Sequence, residues 1–82
     1  MANITVTTSV EERMAVLRVI VELNGAVTPV SKIAKLAGLK QSRARYALLD
    51  LIESGSVEKV PHRAFNKHYV RYSYTALNVH EE

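Results

Sequence analysis

The chain has no cysteine, which excludes both a disulfide framework and any metal site built from thiolates. This absence fits an intracellular protein. The three glycines lie far apart in the sequence, so they form no Gly-rich phosphate loop. A nucleophile elbow and paired carboxylates facing a cleft are missing too. We therefore expect no enzyme activity, no cofactor and no small-molecule ligand.

Long hydrophobic runs are also missing. The most apolar stretch, residues 15–23, is interrupted by Arg18 and Glu22 and is far too short to span a bilayer. Residues 1–8 have neither a basic start nor an apolar core, so we expect no secretory signal. The sequence thus predicts a cytoplasmic protein that does not contact membranes.

The composition that remains is typical of one small folded domain. The chain has 82 residues, of which 48% are hydrophobic, enough for a single small core. Residues 28–75 carry nine Lys/Arg against three Asp/Glu, a local net charge of +6. Such asymmetry favours a polyanionic partner, although many domains carry a basic face without binding one.

The first helix is predicted from about residue 10 to residue 23. Ser9 and Glu12 have the spacing of a capping box, and Asn24 with Gly25 can end the helix in a left-handed conformation. We expect one apolar face to pack on the core: Val10, Met14, Leu17, Ile20 and Val21. A second apolar arc means that the helix is either buried on more than one side or offers a second face to a partner: Val16, Val19 and Leu23.

Two further helices are predicted on either side of a tight corner at Gly38. Thr28 is the expected N-cap of the second helix and Pro29 its first residue. The third helix should begin near residues 40–42 and end at 53 or 54. Small side chains would let the two helices cross closely: Ala34, Ala37, Gly38 and Ala44. Strand-like runs at 56–60 and 69–75, joined by residues 61–68, complete an α+β pattern of three helices and a hairpin.

The segment from Val30 to Val57 resembles the core of winged helix-turn-helix regulators. These families show an Ile-Ala or Leu-Ala step, a Gly-Leu-Ser-like turn and a Leu-x-x-Leu exit followed by Gly-Leu-Val. Here the exit reads Leu48-Leu49-Asp50-Leu51 and then Gly55-Ser56-Val57, while Lys40 stands where the family usually has a Ser-like cap. The chain is also similar to small winged-helix proteins of archaea and their viruses. The resemblance implies an α+β winged-helix domain at 9–76, preceded by an arm or short strand at 1–8 and followed by a tail at 77–82.

The same resemblance implies a transcriptional regulator that binds double-stranded DNA at specific sequences. The recognition helix, about 41–53, would enter the major groove, and the wing, 60–69, would lie on the backbone or in the minor groove. Arg43 and Arg45 are then candidates for guanine and Gln41 for adenine, while lysines contact phosphates. The complete set of expected DNA contacts is Lys32, Lys40, Gln41, Ser42, Arg43, Arg45, Tyr46, Arg63 and Lys67.

Other interpretations remain open at this point. Tyr46 packing against the second helix is nearly as good an interpretation as contact with DNA. A winged-helix domain can bind proteins instead of DNA, or it can bind DNA without sequence preference. A homodimer is expected because one recognition helix reads few base pairs, with the second arc of helix 1 or a strand at 1–8 as its surface. Without cysteine, the three histidines indicate no metal site.

Overall fold

A computed structural model describes residues 7–63 and 70–77 of the chain. It confirms the α+β class: three helices are followed by an antiparallel hairpin, which is a winged-helix arrangement. The elements are α1 (Val10–Leu23), α2 (Val30–Ala37), α3 (Gln41–Glu53), β1 (Val57–Arg63) and β2 (Val70–Ala76). The arm expected at 1–8 and the tail expected at 77–82 fall mostly outside the described residues, and Thr7 and Thr8 belong to no strand.

The local signals predicted the limits of α1. The Ser9 side chain accepts the N–H of Glu12 at 3.1 Å, and the Glu12 carboxylate accepts the N–H of Ser9 at 3.0 Å. This reciprocal pair is the capping box, which satisfies two backbone donors that the helix itself leaves unpaired. At the other end Asn24 adopts the left-handed conformation, with φ 51°. Both predictions are confirmed.

The prediction for α1 is only partly confirmed. Val16 and Val19, for which the sequence left open burial or a partner surface, are buried in the core together with Ile20 of the first arc. Val10, Met14 and Val21, which we expected inside, are 61%, 50% and 57% exposed. Both sets recur at helical spacing, so periodicity alone does not choose between them. The candidate dimer surface on Val16, Val19 and Leu23 is therefore excluded, because these side chains already pack within the domain.

The α2–α3 corner differs from the prediction in two details. Pro29, not Thr28, is the N-cap of α2, because the Thr28 hydroxyl donates to the carbonyl of Ala26 at 3.0 Å. Gly38 does not make room for a helix crossing, since a Cβ added there would meet nothing within 4 Å. It is needed for its φ of 73°, a conformation that costs glycine little.

The hairpin is longer than the sequence indicated. β1 continues through Pro61 to Arg63, with Pro61 paired to Tyr72 in the antiparallel register. A proline is tolerated there because a strand at the edge of a sheet does not need every N–H. The middle of β2 is also held by two residues that precede α2. Val27 forms an isolated bridge with Ser73, and the Thr28 N–H donates to the Tyr72 carbonyl at 3.2 Å.

The core lies where the three helices meet the base of the hairpin. Its largest fully buried side chains are Ile20, Ile33, Val16 and Val57, one or more from α1, α2 and β1. From α3 it receives Ala44, Ala47, Leu48 and Leu51, and from β2 it receives Tyr74. One face of α3 is thus fully committed to the core, and the opposite face remains on the surface.

Candidate nucleic-acid interface

The corner between α2 and α3 fixes the start of α3. The Gly38 N–H donates to carbonyls of the last turn of α2, and the Leu39 N–H donates to the Ala34 carbonyl at 2.9 Å. This pattern is a left-handed helix cap with two reinforcing hydrogen bonds. Leu39 then packs against the core, and Lys40 is the N-cap of α3. The first turn of α3 is therefore held rigidly on α2.

The front of α3 presents the polar side chains that the sequence predicted to be outside. Gln41, Ser42, Arg45 and Tyr46 are all exposed, and they lie together on the first two turns. Tyr46 is exposed by 38%. Because Ala44 and Ala47 bury the opposite side, these four side chains form one continuous outward surface, which we call the α3 front.

Arg43 does not belong to the α3 front. Its guanidinium donates to both carboxylate oxygens of Glu12, at 2.7 and 2.9 Å, and to the carbonyl of Thr7 at 3.0 Å. The expectation that Arg43 points freely outward is therefore wrong, because position 43 lies on the flank of α3 that faces α1. The sequence around Glu12 indicates only a capping box, and no local pattern predicts this second contact, which joins residues far apart in the chain.

The ion pair between Arg43 and Glu12 perturbs both groups. The hydrogen bond from Arg43, with a further one from the Ser9 backbone, lowers the pKa of Glu12 from 4.5 to about 2. The hydrogen bond with Glu12 in turn raises the pKa of Arg43. The pair is partly shielded, since the side chains are 35% and 19% exposed. Each partner stabilises the charged form of the other.

A second polar cluster fixes the same flank of α3. The Thr8 hydroxyl donates to the Asp50 carboxylate. Arg13 donates to the Thr8 carbonyl at 2.6 Å and to its hydroxyl oxygen at 2.8 Å. Thr8 is 4% exposed, so these bonds satisfy groups that burial would otherwise leave unpaired. The α1-facing flank of α3 is thus occupied by internal contacts and is not part of the α3 front.

In the part of the chain that the structure describes, the lysines around the corner have no acidic partner. Lys32 and Lys35 are exposed on α2, and Lys40 is exposed at the start of α3. Within residues 7–63 and 70–77 the only ion pair is the one between Arg43 and Glu12. The positive charges beside the α3 front are therefore not neutralised by neighbouring carboxylates in the described part of the chain.

The β-hairpin carries a further cation that was not among the expected DNA contacts. Lys59 on β1 places its Nζ 4.2 Å from the centre of the Tyr72 ring, within range of a cation–π interaction. Alternation along the strands is the signal that could have found this pair, because Lys59, Tyr72 and Tyr74 share one face of the hairpin. Burial raises the pKa of Tyr74, and the charge of Arg45 opposes that shift.

Of the two DNA contacts predicted in the wing, the structure describes only the position of Arg63. Arg63 is the last residue of β1, and Lys67 lies outside the described residues. His68 and His80 lie outside them as well, whereas His62 bonds to the Ser73 hydroxyl at 2.8 Å. Among the residues that are described, no group of three His, Asp or Glu side chains could hold a metal ion.

Leu49 is a surface residue that the sequence analysis did not single out. It is 50% exposed and lies one turn beyond Arg45 and Tyr46 on the outer side of α3. Its neighbour Leu48 is buried, so one of the two adjacent leucines faces the core and the other faces the surface. The α3 front is therefore extended by an apolar side chain.

Comparison of the sequence with protein-family models, curated proteins and solved structures gave no match. In the described part of the chain, no helix has both the length and the apolar character needed to cross a membrane.

Proposed function

We propose that this protein binds double-stranded DNA at specific sequences, as a transcriptional regulator, with α3 in the major groove. The observation that carries the proposal is the α3 front: Gln41, Ser42 and Arg45 project from the first turns of a helix fixed by the Gly38 corner. A major groove is wide enough for a helix, and its base edges offer the acceptors and donors that these side chains match.

Arg45 has the leading role in this proposal. A guanidinium can donate two hydrogen bonds to the O6 and N7 atoms of guanine, while the Gln41 amide can pair with adenine. Arg43, which the sequence resemblance placed in the same role, is bound to Glu12 and Thr7. We therefore assign Arg43 to positioning α3 against α1, not to reading bases.

Lysines on both sides of the α3 front would contact the phosphate backbone. Lys32, Lys35 and Lys40 are exposed, and Lys59 lies on the face of the β-hairpin that carries Tyr72. Phosphate contacts set affinity and orientation but carry little sequence information. They also make binding dependent on salt, because each one releases counterions from the DNA.

The proposal is tested by selecting bound sites from a random duplex pool at two salt concentrations. The wild-type protein should enrich a defined site. Arg45→Ala should lose about 1–3 kcal/mol of discrimination between that site and other duplexes. Lys35→Ala is the matched control: it should weaken binding to all duplexes about equally and reduce the salt slope by about one. An Arg45→Ala variant that behaves like Lys35→Ala would contradict base reading by α3.

One observation favours a second candidate, a winged-helix module that binds another protein. Tyr46 and Leu49 lie next to each other on the outer side of α3, and both are exposed. In that case Leu49→Ala would weaken binding to the partner, Arg45→Ala would have little effect, and affinity for duplexes would be absent even at low salt.

A further inference from the structure

The outer face of α1 is apolar along its whole length. Val10, Met14 and Val21 are at least half exposed, and Leu17, which lies between them, is partly buried against the core. We call these four residues the α1 seam. A helix face turned to solvent normally carries polar side chains, so four large apolar side chains in one row indicate a surface that another molecule covers.

Grooves on both sides of the α1 seam provide room for that molecule. The first is lined by Met14 of the seam together with Glu53 and Ser54 at the end of α3. The second is lined by Val21 of the seam together with Ala76 and Leu77 at the end of β2. Since Leu17 lines both, the seam is a ridge between two grooves. An identical ridge can fit against it at a small angle.

The spacing of the α1 seam is self-complementary. Its residues follow one another at intervals of four, three and four, the heptad spacing of a coiled-coil interface. This series reads the same in both directions. Two copies placed antiparallel about a two-fold axis between Met14 and Leu17 therefore bring Val10 opposite Val21 of the second copy, and Met14 opposite its Leu17.

The charges beside the α1 seam favour the same arrangement. Glu11 and Arg18 are both exposed, and each directly follows a seam residue on the same side of the helix. The antiparallel arrangement places Glu11 beside Arg18 of the second copy, and the two-fold axis repeats this attractive contact. A parallel arrangement would bring Arg13 near Arg18 of the second copy and so place two like charges together.

We propose that the α1 seam binds a second copy of this chain in an antiparallel, two-fold arrangement. This surface is opposite to the one that the sequence predicted, because Val16 and Val19 are buried. The interface reaches only the end of α3 and leaves the α3 front free. The dimer does not depend on DNA binding. Only the corollary, that two recognition helices read a two-fold symmetric site, rests on the proposed function.

Sedimentation equilibrium of the full chain without DNA tests the proposal. The wild-type protein should be a dimer at micromolar concentration. Met14→Glu should raise the dissociation constant by at least about tenfold, because it buries an unpaired charge against Leu17 of the second copy. The matched control is Leu36→Glu, a change of an equally exposed leucine on α2, which should leave the constant unchanged.

A charge exchange tests the antiparallel arrangement without changing the apolar residues. Arg18→Glu places two carboxylates together at each end of the interface and should weaken the dimer by about tenfold. Adding Glu11→Arg restores opposite charges in the antiparallel arrangement, so the double variant should recover the wild-type constant. Circular dichroism of each variant shows that the helices remain folded.

Three outcomes would overturn the proposal: a monomeric wild-type protein over the whole concentration range, a Leu36→Glu variant as impaired as Met14→Glu, or a double charge variant that stays as weak as Arg18→Glu. Duplex binding by the same samples is measured separately. A monomer that still selects a DNA site would refute the interface alone, and a dimer without affinity for duplex would refute only the proposed function.

Discussion

Glu12 makes two kinds of contact that are usually made by different residues. Its carboxylate caps the start of α1 through the Ser9 N–H, and it binds the Arg43 guanidinium through both oxygens. The first contact is local and the second crosses from α1 to α3. A single side chain therefore couples the formation of one helix to the placement of another.

This coupling predicts a specific dependence of stability on pH. The pKa of Glu12 is about 2 in the folded protein, below its ordinary value of 4.5. The folded state therefore binds this proton less readily than the unfolded state. The stabilisation from Glu12 is fully present above pH 4.5 and is lost as the pH falls toward 2. Glu12→Gln should remove it, which urea unfolding at several pH values in this window would measure.

Glu22→Gln provides the control for this measurement. Glu22 is an exposed carboxylate near the end of α1 and has no side-chain hydrogen bond within the described residues. The Glu22→Gln variant should therefore keep the wild-type loss of stability in acid, while Glu12→Gln should flatten it. The same acid profile for both variants would contradict the assignment of the ion pair.

Gly38 ends α2, and the end of this helix requires glycine only for its backbone conformation. Its φ is 73° and open space surrounds the position of a Cβ. Gly38→Ala should therefore destabilise the fold by about 1–2 kcal/mol, the cost of holding an alanine in the left-handed region. Gly38→Asn should cost less, because asparagine tolerates this conformation. The free energy of unfolding of the two variants checks both statements, and a fully stable Gly38→Ala would contradict them.

Where signals are local, the elements could be predicted from the sequence. The capping box at Ser9 and the glycine at position 38 fixed the ends of helices to within a residue or two, because both act through neighbouring backbone groups. The exposure of Gln41 and Arg45 followed from the apolar stripe of α3. These features need no knowledge of distant parts of the chain.

Features that depend on distant partners could not be predicted in the same way. Two apolar arcs of α1 share helical spacing, and the contact between Glu12 and Arg43 is part of what orients the helix, but no pattern in α1 reveals it. The bridge between Val27 and Ser73 pairs a single residue with a single residue. A contact this short produces no alternating pattern of apolar and polar residues in the sequence. β1 was predicted too short because Pro61 usually ends a strand, except at an edge.

At the scale of the whole molecule, the small core leaves little excess stability. Leu48 is 3% exposed, and the adjacent Leu49 is 50% exposed, so α3 offers a matched pair of leucines. Leu48→Ala should cost about 2–5 kcal/mol, because it removes buried contacts and leaves a cavity in a domain with one core. Leu49→Ala should cost less than about 1 kcal/mol.

Chemical denaturation measures both leucine variants, and all samples should be compared at one protein concentration. A dimer makes apparent stability depend on concentration, since association favours the folded state. If Leu49→Ala destabilised the protein as much as Leu48→Ala, the placement of α3 on the core would be incorrect.

β2 is linked to the segment that precedes α2, and this link gives a way to measure the opening of the hairpin. The Thr28 amide proton is held by the Tyr72 carbonyl, so it can exchange with solvent only when the middle of β2 separates from that segment. Deuterium uptake at Thr28 therefore reports the opening of the wing from a position outside it.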